Sequence, residues 1–465
     1  MSATYRPEMK NQFDSRSHDD DDLLFLDAHT FKDLEIFESE MGGACLFEFC
    51  NLARTSGGEK VLRRRMERPW SNAANIRAIQ ESLSYIIAKR EVFNIQPTAY
   101  VTNLVDRHYM HEVLPIVAGE NLLEFGFGVV GMWINNDRHY FSIKRGVQVT
   151  YGMIQTLRRF VAQPELGSPI GELNELVEEM RGLLSRPGLS QVDDQEMGRG
   201  TWRILRLDQA FRIHENVTID RLLQLVHELD ALIAMADVTL KYKFVLPSIE
   251  TGPLRAHAEG LVHPFVSNAV ANSVELDQQC RALFLTGPNM AGKTTYLRAF
   301  ATALYLAHLG MGVPARSFRF VPAQRLFSTI SLSDDLFGGV SYFRAEALRV
   351  KAISQAVADG YRVVALMDEP FKGTNVKDAF DASLAILERF AARKDCLFMF
   401  SSHLIELGEQ LSANDQVDCR FFSAEENEGQ LCFDYLLHKG VSNQRLGMRV
   451  LSEEGIFALL DGIPK

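Results

Sequence analysis

The segment Leu283–Thr295, LFLTGPNMAGKTT, restricts the fold of this chain more than any other. It passes from an apolar stretch through a glycine-containing turn, and it matches the pattern G-x-x-x-x-G-K-[ST] at Gly287, Gly292, Lys293 and Thr294. Glycines let a backbone close around oxygen atoms without a Cβ clash, so that successive N–H groups and a helix N-terminus face an anion. The segment therefore predicts a turn that binds phosphate.

The neighbouring residues favour this prediction. Residues 281–285 have the length and apolarity of a buried strand, and residues 294–309 carry apolar side chains at helical spacing. A glycine turn that joins a strand to a helix without a ligand is the alternative. We interpret the segment as a nucleotide site in which Lys293 contacts the β- and γ-phosphates and Thr294 ligates Mg²⁺.

A second group of polar residues follows two later apolar stretches. Residues 361–367, YRVVALM, predict a strand that ends at Asp368 and Glu369. Asp368 is placed to hold Mg²⁺, directly or through water, and Glu369 to orient and polarise the attacking water. Residues 396–400, CLFMF, predict another central strand, and His403 follows it. This histidine is either a sensor of the γ-phosphate or an ordinary loop residue.

Composition limits the classes of function. The 49 Lys and Arg residues against 60 Asp and Glu residues give a net charge of −11, which argues against nucleic-acid binding over the whole surface. Contact with nucleic acid would need a local basic patch, and the densest is the cluster Lys60, Arg63, Arg64, Arg65 and Arg68. A helix with salt-bridged arginines is the alternative interpretation of that cluster.

The cysteines and the hydropathy pattern bear on location. The six cysteines form no C-x-x-C pair, which fits a reducing compartment, and no apolar run reaches the roughly 18 residues that a membrane span needs. We expect a cytoplasmic protein without a membrane contact.

Composition and hydropathy pattern divide the chain into regions. Residues 1–22 predict a disordered acidic tail, and residues 23–242 are mainly helical in pattern. Breaks are predicted at Gly119, at Gly146, over 167–169 and over 185–200, and residues 243–262 have the glycines and prolines of a junction. Alternating strands and helices follow, as an α/β domain requires.

Four segments resemble, in order and spacing, the ATPase module of the MutS mismatch-repair family, within the ABC-type ATPases. They read TGPNMAGKTTYLR, VPARSFRFVPAQRLFSTISLSDDLFGGVSYFRAEA, ALMDEPFKGTN and FSSHLIEL. Upstream, VHP, ALIAMADVTLKYKFVLPSIE, LDAHTFKDLEI and RTSGGEKVLRRRMERPW are similar to the family's core and lever region. Downstream, KGVSNQRLGMRVLSEEGI is similar to the start of its helical dimerisation element. The resemblance covers residues 24–465.

The resemblance implies an α/β P-loop ATPase domain of ABC type, preceded by an all-α core and lever domain. The implied divisions are a helical core and lever domain at 23–242, the ATPase domain at 243–437 and a helical dimerisation element at 438–465. The family's mismatch-recognition and connector domains are expected to be lacking.

The resemblance also assigns roles to residues. It implies ATP and Mg²⁺ as cofactors, with Glu369, Lys293 and His403 as catalytic residues and Thr294 and Asp368 as metal ligands. Ser341 falls at the signature serine, which in the family faces the nucleotide of the opposite subunit, so a homodimer with composite sites is implied. The implied nucleotide-binding residues are Gly287, Pro288, Asn289, Met290, Ala291, Gly292, Lys293, Thr294 and Thr295.

Two departures from the family pattern stand near the site. Pro370-Phe371-Lys372 replaces the family's usual residues after the acidic pair. The aromatic residue that stacks on adenine in the family falls at Ala269, which leaves base contacts to Val270, Asn272 or Tyr435.

Three functions fit these observations. The first is an ATP-hydrolysing MutS-like dimer that couples nucleotide state to DNA binding in repair or recombination, with a repair protein as a further partner. The second is an ATP-gated protein-interaction switch without DNA contact, favoured by the net charge. The third is a P-loop kinase or small-molecule transferase, which is disfavoured because no acceptor-binding region is evident.

Overall fold

The computed structural model describes residues 22–39, 42–94, 99–109, 122–135, 137–190, 192, 197–198, 200–331, 342–427, 430–442, 444 and 455–460. The first part of the chain is helical. Its helices are α1 (Ala28–Asp33), α2 (Leu46–Cys50), α3 (Ser56–Glu67), α4 (Ala73–Ala88), α5 (Ala99–Tyr109), α6 (Leu122–Asn135), α7 (Asp137–Ala162), α8 (Glu172–Leu184), α9 (Thr201–Gln209) and α10 (Asn216–Lys241). A π-helical turn, Ala210–His214, follows α9.

Helix α10 is the centre of the helical part, because apolar residues face its neighbours over most of its length. A buried carboxylate fixes α3 against it. Asp230 on α10 accepts hydrogen bonds from the backbone N–H of Thr55 at 2.8 Å and from its hydroxyl at 2.7 Å. Thr55 is also the N-cap of α3, since its hydroxyl oxygen accepts from Gly58 N at 2.9 Å.

A small sheet follows, where the sequence predicted only a junction. Its strands lie in the order β1-β5-β2-β3, with β1 at Ser248–Ile249, β2 at Ala256–Leu261, β3 at Asn272–Leu276 and β5 at Ser317–Phe320. The interpretation of 243–262 as a junction alone was therefore wrong. The prolines and glycines there separate short strands, and their pairing partner β5 lies more than 50 residues downstream, which a local pattern does not reveal.

In the described part of the chain, the large sheet has six strands in the order β10-β9-β4-β8-β7-β6. They are β4 (Ala282–Thr286), β6 (Arg325–Thr329), β7 (Val363–Asp368), β8 (Cys396–Ser401), β9 (Val417–Asn427) and β10 (Gln430–Lys439). Strands β9, β4, β8, β7 and β6 run parallel, whereas β10 is antiparallel to β9. The carboxyl ends of β4, β8 and β7 therefore meet at one edge, which is where open α/β sheets bind ligands.

The remaining helices flank this sheet or follow it. They are α11 (Lys293–His308), α12 (Tyr342–Ala358), α13 (Val376–Ala391), α14 (Ile405–Leu411) and α15 (Ile456–Leu460). The predicted strands over 281–285, 361–367 and 396–400 and the predicted helix over 294–309 are confirmed to within two residues. Within the described part of the chain, no helix has the length and apolarity to cross a membrane.

Gly146 is not a helix break, contrary to expectation, because it lies inside α7. A Cβ atom built at Gly146 would lie 2.4 Å from the ring of His108. That ring is buried and contacts Asp208 Oδ1 at 2.8 Å through Nε2 and Thr150 Oγ1 at 3.2 Å through Nδ1. The glycine is required for close packing of α5 on α7. The predicted break at Gly119 lies outside the described residues.

Replacing Gly146 by alanine should destabilise the protein by about 1–3 kcal/mol, because the buried histidine network has to move. Gly152 on the same helix is the matched control, since no atom lies within 4 Å of the position its Cβ would take. G152A should be neutral or stabilising by up to about 1 kcal/mol. Urea unfolding measures both values, and equal effects of the two substitutions would contradict the packing role of Gly146.

Candidate nucleotide-binding site

The predicted phosphate-binding turn joins β4 to α11 and has an unusual backbone. Gly287, Met290 and Gly292 have φ values of 134°, 69° and 105°. At Gly287 glycine is also required by space, because a Cβ atom would lie 2.6 Å from the carbonyl oxygen of Phe422. The turn leads directly into the N-terminus of a 16-residue helix, whose first N–H groups have no partner within the helix. This is a concave site for an anion.

Lys293 is the first residue of α11, and its side chain is only 5% exposed. Its ammonium donates hydrogen bonds to the carbonyl oxygens of Gly287 at 2.8 Å and Pro288 at 3.1 Å. Burial lowers the pKa of Lys293, and the carboxylates of Glu369 and Asp368 oppose that shift. A buried cation within a glycine turn is suited to hold a phosphate.

Two hydroxyl groups donate hydrogen bonds to one carboxylate at this edge of the sheet. Thr294 Oγ1 donates a hydrogen bond of 2.6 Å to Asp368 Oδ2, and the Ser401 hydroxyl donates to Asp368 Oδ1. Asp368 and Ser401 are register partners at the ends of β7 and β8. The hydroxyl and carboxylate oxygens are hard ligands of the kind that Mg²⁺ prefers.

Glu369 lies among two lysines and a histidine. Its Oε2 is 2.5 Å from Lys372 Nζ, its Oε1 contacts His403 Nε2, and Lys293 Nζ is 4.0 Å away. Burial favours a higher pKa for Glu369, but hydrogen bonds from His403 and Lys372 outweigh it and lower the pKa to about 2. Glu369 is therefore ionised at neutral pH.

A pocket of about 440 Å³ opens beside the turn, within the size range of small-molecule sites. One part of its wall includes Ala269, Val270, Asn272 and Tyr435. Asn272 fixes this wall, because its Nδ2 donates to the carbonyl oxygen of Tyr435 at 2.9 Å and its Oδ1 accepts from Leu437 N at 2.8 Å. Tyr435 is 45% exposed and lines this pocket.

The structure brings most of the predicted site residues together. All of the turn residues from Gly287 to Thr295 lie between β4 and the first turn of α11, and Asp368, Glu369 and His403 lie at the adjoining strand ends. Ser341 lies outside the described residues. Sequence reasoning missed the roles of Lys372 and Ser401, although both are close to predicted residues in the sequence and were available as candidates.

The basic cluster on α3 is partly neutralised. Arg63 Nε lies 3.2 Å from Glu67 Oε1, and Arg65 forms a bidentate pair with Glu172 that includes a 3.0 Å contact. These two arginines are therefore salt-bridged, as the alternative interpretation of the cluster expects. Lys60 and Arg64 are exposed on the same helix.

Comparison with known proteins agrees with this geometry. The family model of MutS domain V matches residues 283–458, a range that contains the turn, the acidic pair and His403. The DNA mismatch repair protein MutS of Ruegeria pomeroyi is 35% identical to this chain over 241 residues. Over its C-terminal half, this chain belongs to the MutS family. The alignment covers 49% of this chain and 27% of that MutS protein, so the chain spans about a quarter of its length.

The stability that the ion pairs of Glu369 contribute should decrease at acidic pH. Because its folded pKa is about 2 and its ordinary pKa is 4.5, the ionised carboxylate stabilises the fold above pH 4.5. That contribution is lost as the pH falls from 4.5 to about 2. Between pH 6 and pH 3 the free energy of unfolding of the wild-type protein should fall by about 2 kcal/mol more than that of the E369Q variant.

Urea titrations at several pH values measure this difference. Glu409 on α14 is exposed, so E409Q serves as the control and should follow the wild-type protein. Parallel pH dependence of the wild-type protein and E369Q would show that the contacts of Glu369 do not stabilise the fold.

Proposed function

We propose that this chain is a Mg²⁺-dependent, MutS-like ATPase that acts as a dimer and couples nucleotide state to DNA binding in repair or recombination. The hydrogen bond of 2.6 Å from Thr294 Oγ1 to Asp368 Oδ2, beside the buried ammonium of Lys293, carries this proposal. It joins the two halves of the site across the sheet edge. A turn with a structural role alone would not require a hydroxyl, a carboxylate and a buried ammonium side by side.

ATP and Mg²⁺ fit the residues that are present. Thr294 and Asp368 would hold the metal ion, which when bound supplies positive charge that polarises the phosphates. The triphosphate would lie along the turn from Gly287 to Thr295, with Lys293 on its β- and γ-phosphates. A pocket of about 440 Å³ is large enough for the nucleoside.

The chain's own groups then have distinct roles. Glu369 orients and polarises the attacking water, because its carboxylate is ionised and lies 4.0 Å from Lys293 Nζ. His403 contacts the same carboxylate and is placed to sense the γ-phosphate. Tyr435 also lines the pocket and offers an aromatic surface to the base in place of Ala269.

The organisation of the chain follows the same interpretation. We assign a helical core and lever domain to 23–242, an ABC-type P-loop ATPase domain to 243–437 and a dimerisation element to 438–465. Ser341 of one subunit would complete the site of the other, and closure of the two sites on ATP would shift the helical part between two arrangements.

A protein-interaction switch without DNA contact is the second candidate. The net charge of −11 and the ion pairs of Arg63 and Arg65 favour it, because they reduce the positive surface that DNA requires. A stoichiometric protein partner, isolated in a complex that holds no DNA, would support this candidate.

Nucleotide assays separate the roles of Lys293 and Glu369. K293A should weaken ATP binding roughly 30-fold or more, because it removes a buried cation that pairs with the phosphates. E369Q should keep ATP bound and lower turnover by about 100-fold, because a neutral amide does not polarise the attacking water as a carboxylate does. K377A, at an exposed position on α13, is the control and should match the wild-type protein in both assays. Full turnover by E369Q would refute the role assigned to Glu369.

DNA assays separate the two candidate functions. Duplex, mismatched and four-way-junction DNA should bind at low salt and change the ATPase rate. The double variant K60A/R64A should lower the slope of log affinity against log salt by about 1 for each DNA phosphate that the two side chains neutralise. K377A again serves as the control. If no DNA binds at low salt and none alters the ATPase rate, the DNA-linked function is wrong and the switch is favoured.

A further inference from the structure

The turn that follows the acidic pair is held in an unusual conformation. Glu369 and Phe371 have φ values of 48° and 66°, in the left-handed region that residues other than glycine seldom adopt. Such a backbone persists only where surrounding contacts hold it, and it is concentrated at functional sites. Glu369 N donates to the carbonyl oxygen of Ser401 at 3.0 Å, and further contacts to the turn come from helix α12.

Two groups on the first turns of α12 make those contacts. The Glu346 carboxylate, in a residue that is 2% exposed, accepts hydrogen bonds from Lys372 N at 3.1 Å and Gly373 N at 3.3 Å. The Phe343 ring lies 6.0 Å from the buried Phe371 ring, measured between centroids. The position of the Lys372 backbone is therefore fixed by α12.

From this backbone position, the Lys372 side chain extends to the carboxylate of Glu369, the proposed catalytic residue. Its Nζ is 2.5 Å from Glu369 Oε2, while His403 Nε2 contacts Oε1. Both oxygens of Glu369 are thus engaged by side chains, although Glu369 needs a free oxygen to orient an attacking water. The Lys372 side chain is 51% exposed, so it can leave this position without unpacking the core.

We propose that Lys372 is a positioning residue that holds Glu369 in a resting arrangement, and that α12 controls this contact through Glu346. The inference rests on the ATPase function proposed above and adds its regulation. Turnover then requires Lys372 to leave Glu369 Oε2. A displacement of the start of α12 supplies that movement, because Glu346 holds the backbone of Lys372 and Gly373.

The test is steady-state hydrolysis of Mg²⁺-ATP by the full chain. K372M keeps the length of the side chain and removes its charge, so it should raise kcat several-fold without changing KM. K372R keeps a cation that can pair with the carboxylate, so its kcat should stay close to that of the wild-type protein. K377M, at an exposed position on the next helix, should leave both constants unchanged.

A second variant tests the part assigned to α12. E346Q weakens the anchor, because an amide offers one acceptor oxygen in place of two. It should raise kcat, and the double variant K372M/E346Q should exceed K372M by little, since both substitutions release the same contact. Thermal unfolding verifies that E346Q remains folded.

The outcomes distinguish this inference from the function on which it rests. An unchanged or lower kcat for K372M, with ATP affinity equal to that of the wild-type protein, would overturn the positioning role and leave the ATPase proposal intact. Fully additive effects of K372M and E346Q would overturn the control by α12. Failure of the wild-type protein to bind Mg²⁺-ATP in the same binding assay would overturn the ATPase proposal itself.

Discussion

The contact between the Thr294 hydroxyl and the Asp368 carboxylate depends on the order of strands in the large sheet. Strand β8 lies between β4 and β7, and all three run parallel, so their carboxyl ends open on one edge. Ser401 at the end of β8 fills the gap and donates to the same carboxylate. A change in strand order would separate these groups, although each would keep its local structure.

The pocket is also connected to the helical part through packed aromatic rings. His263 lines the pocket and lies edge-on to Phe265 at 5.5 Å, and Phe265 lies edge-on to Phe49 of α2 at 5.3 Å. Phe49 stacks at 4.1 Å on Tyr242, the residue that follows α10. This contiguous packing would give the proposed nucleotide binding a physical connection to the long central helix.

The part of the site that the sequence predicts is the part governed by local rules. The strand–turn–helix at Gly287 and the acidic residues after residue 367 follow from hydropathy and backbone geometry alone. The failures are non-local. The glycine at 146 is required by a histidine on α5, and β1 forms by pairing with β5. The Lys372 backbone is held by Glu346 on α12. No spacing rule along one chain reports such contacts.

A structure with a non-hydrolysable ATP analogue and Mg²⁺ would decide whether this sheet edge binds the nucleotide as proposed. We predict one metal ion between Thr294 Oγ1 and the Asp368 carboxylate, bound directly or through water, with the γ-phosphate beside Lys293 Nζ and the base against Tyr435. A nucleotide bound at another face of the sheet, or a metal ion with no ligand from Thr294 or Asp368, would contradict the proposal.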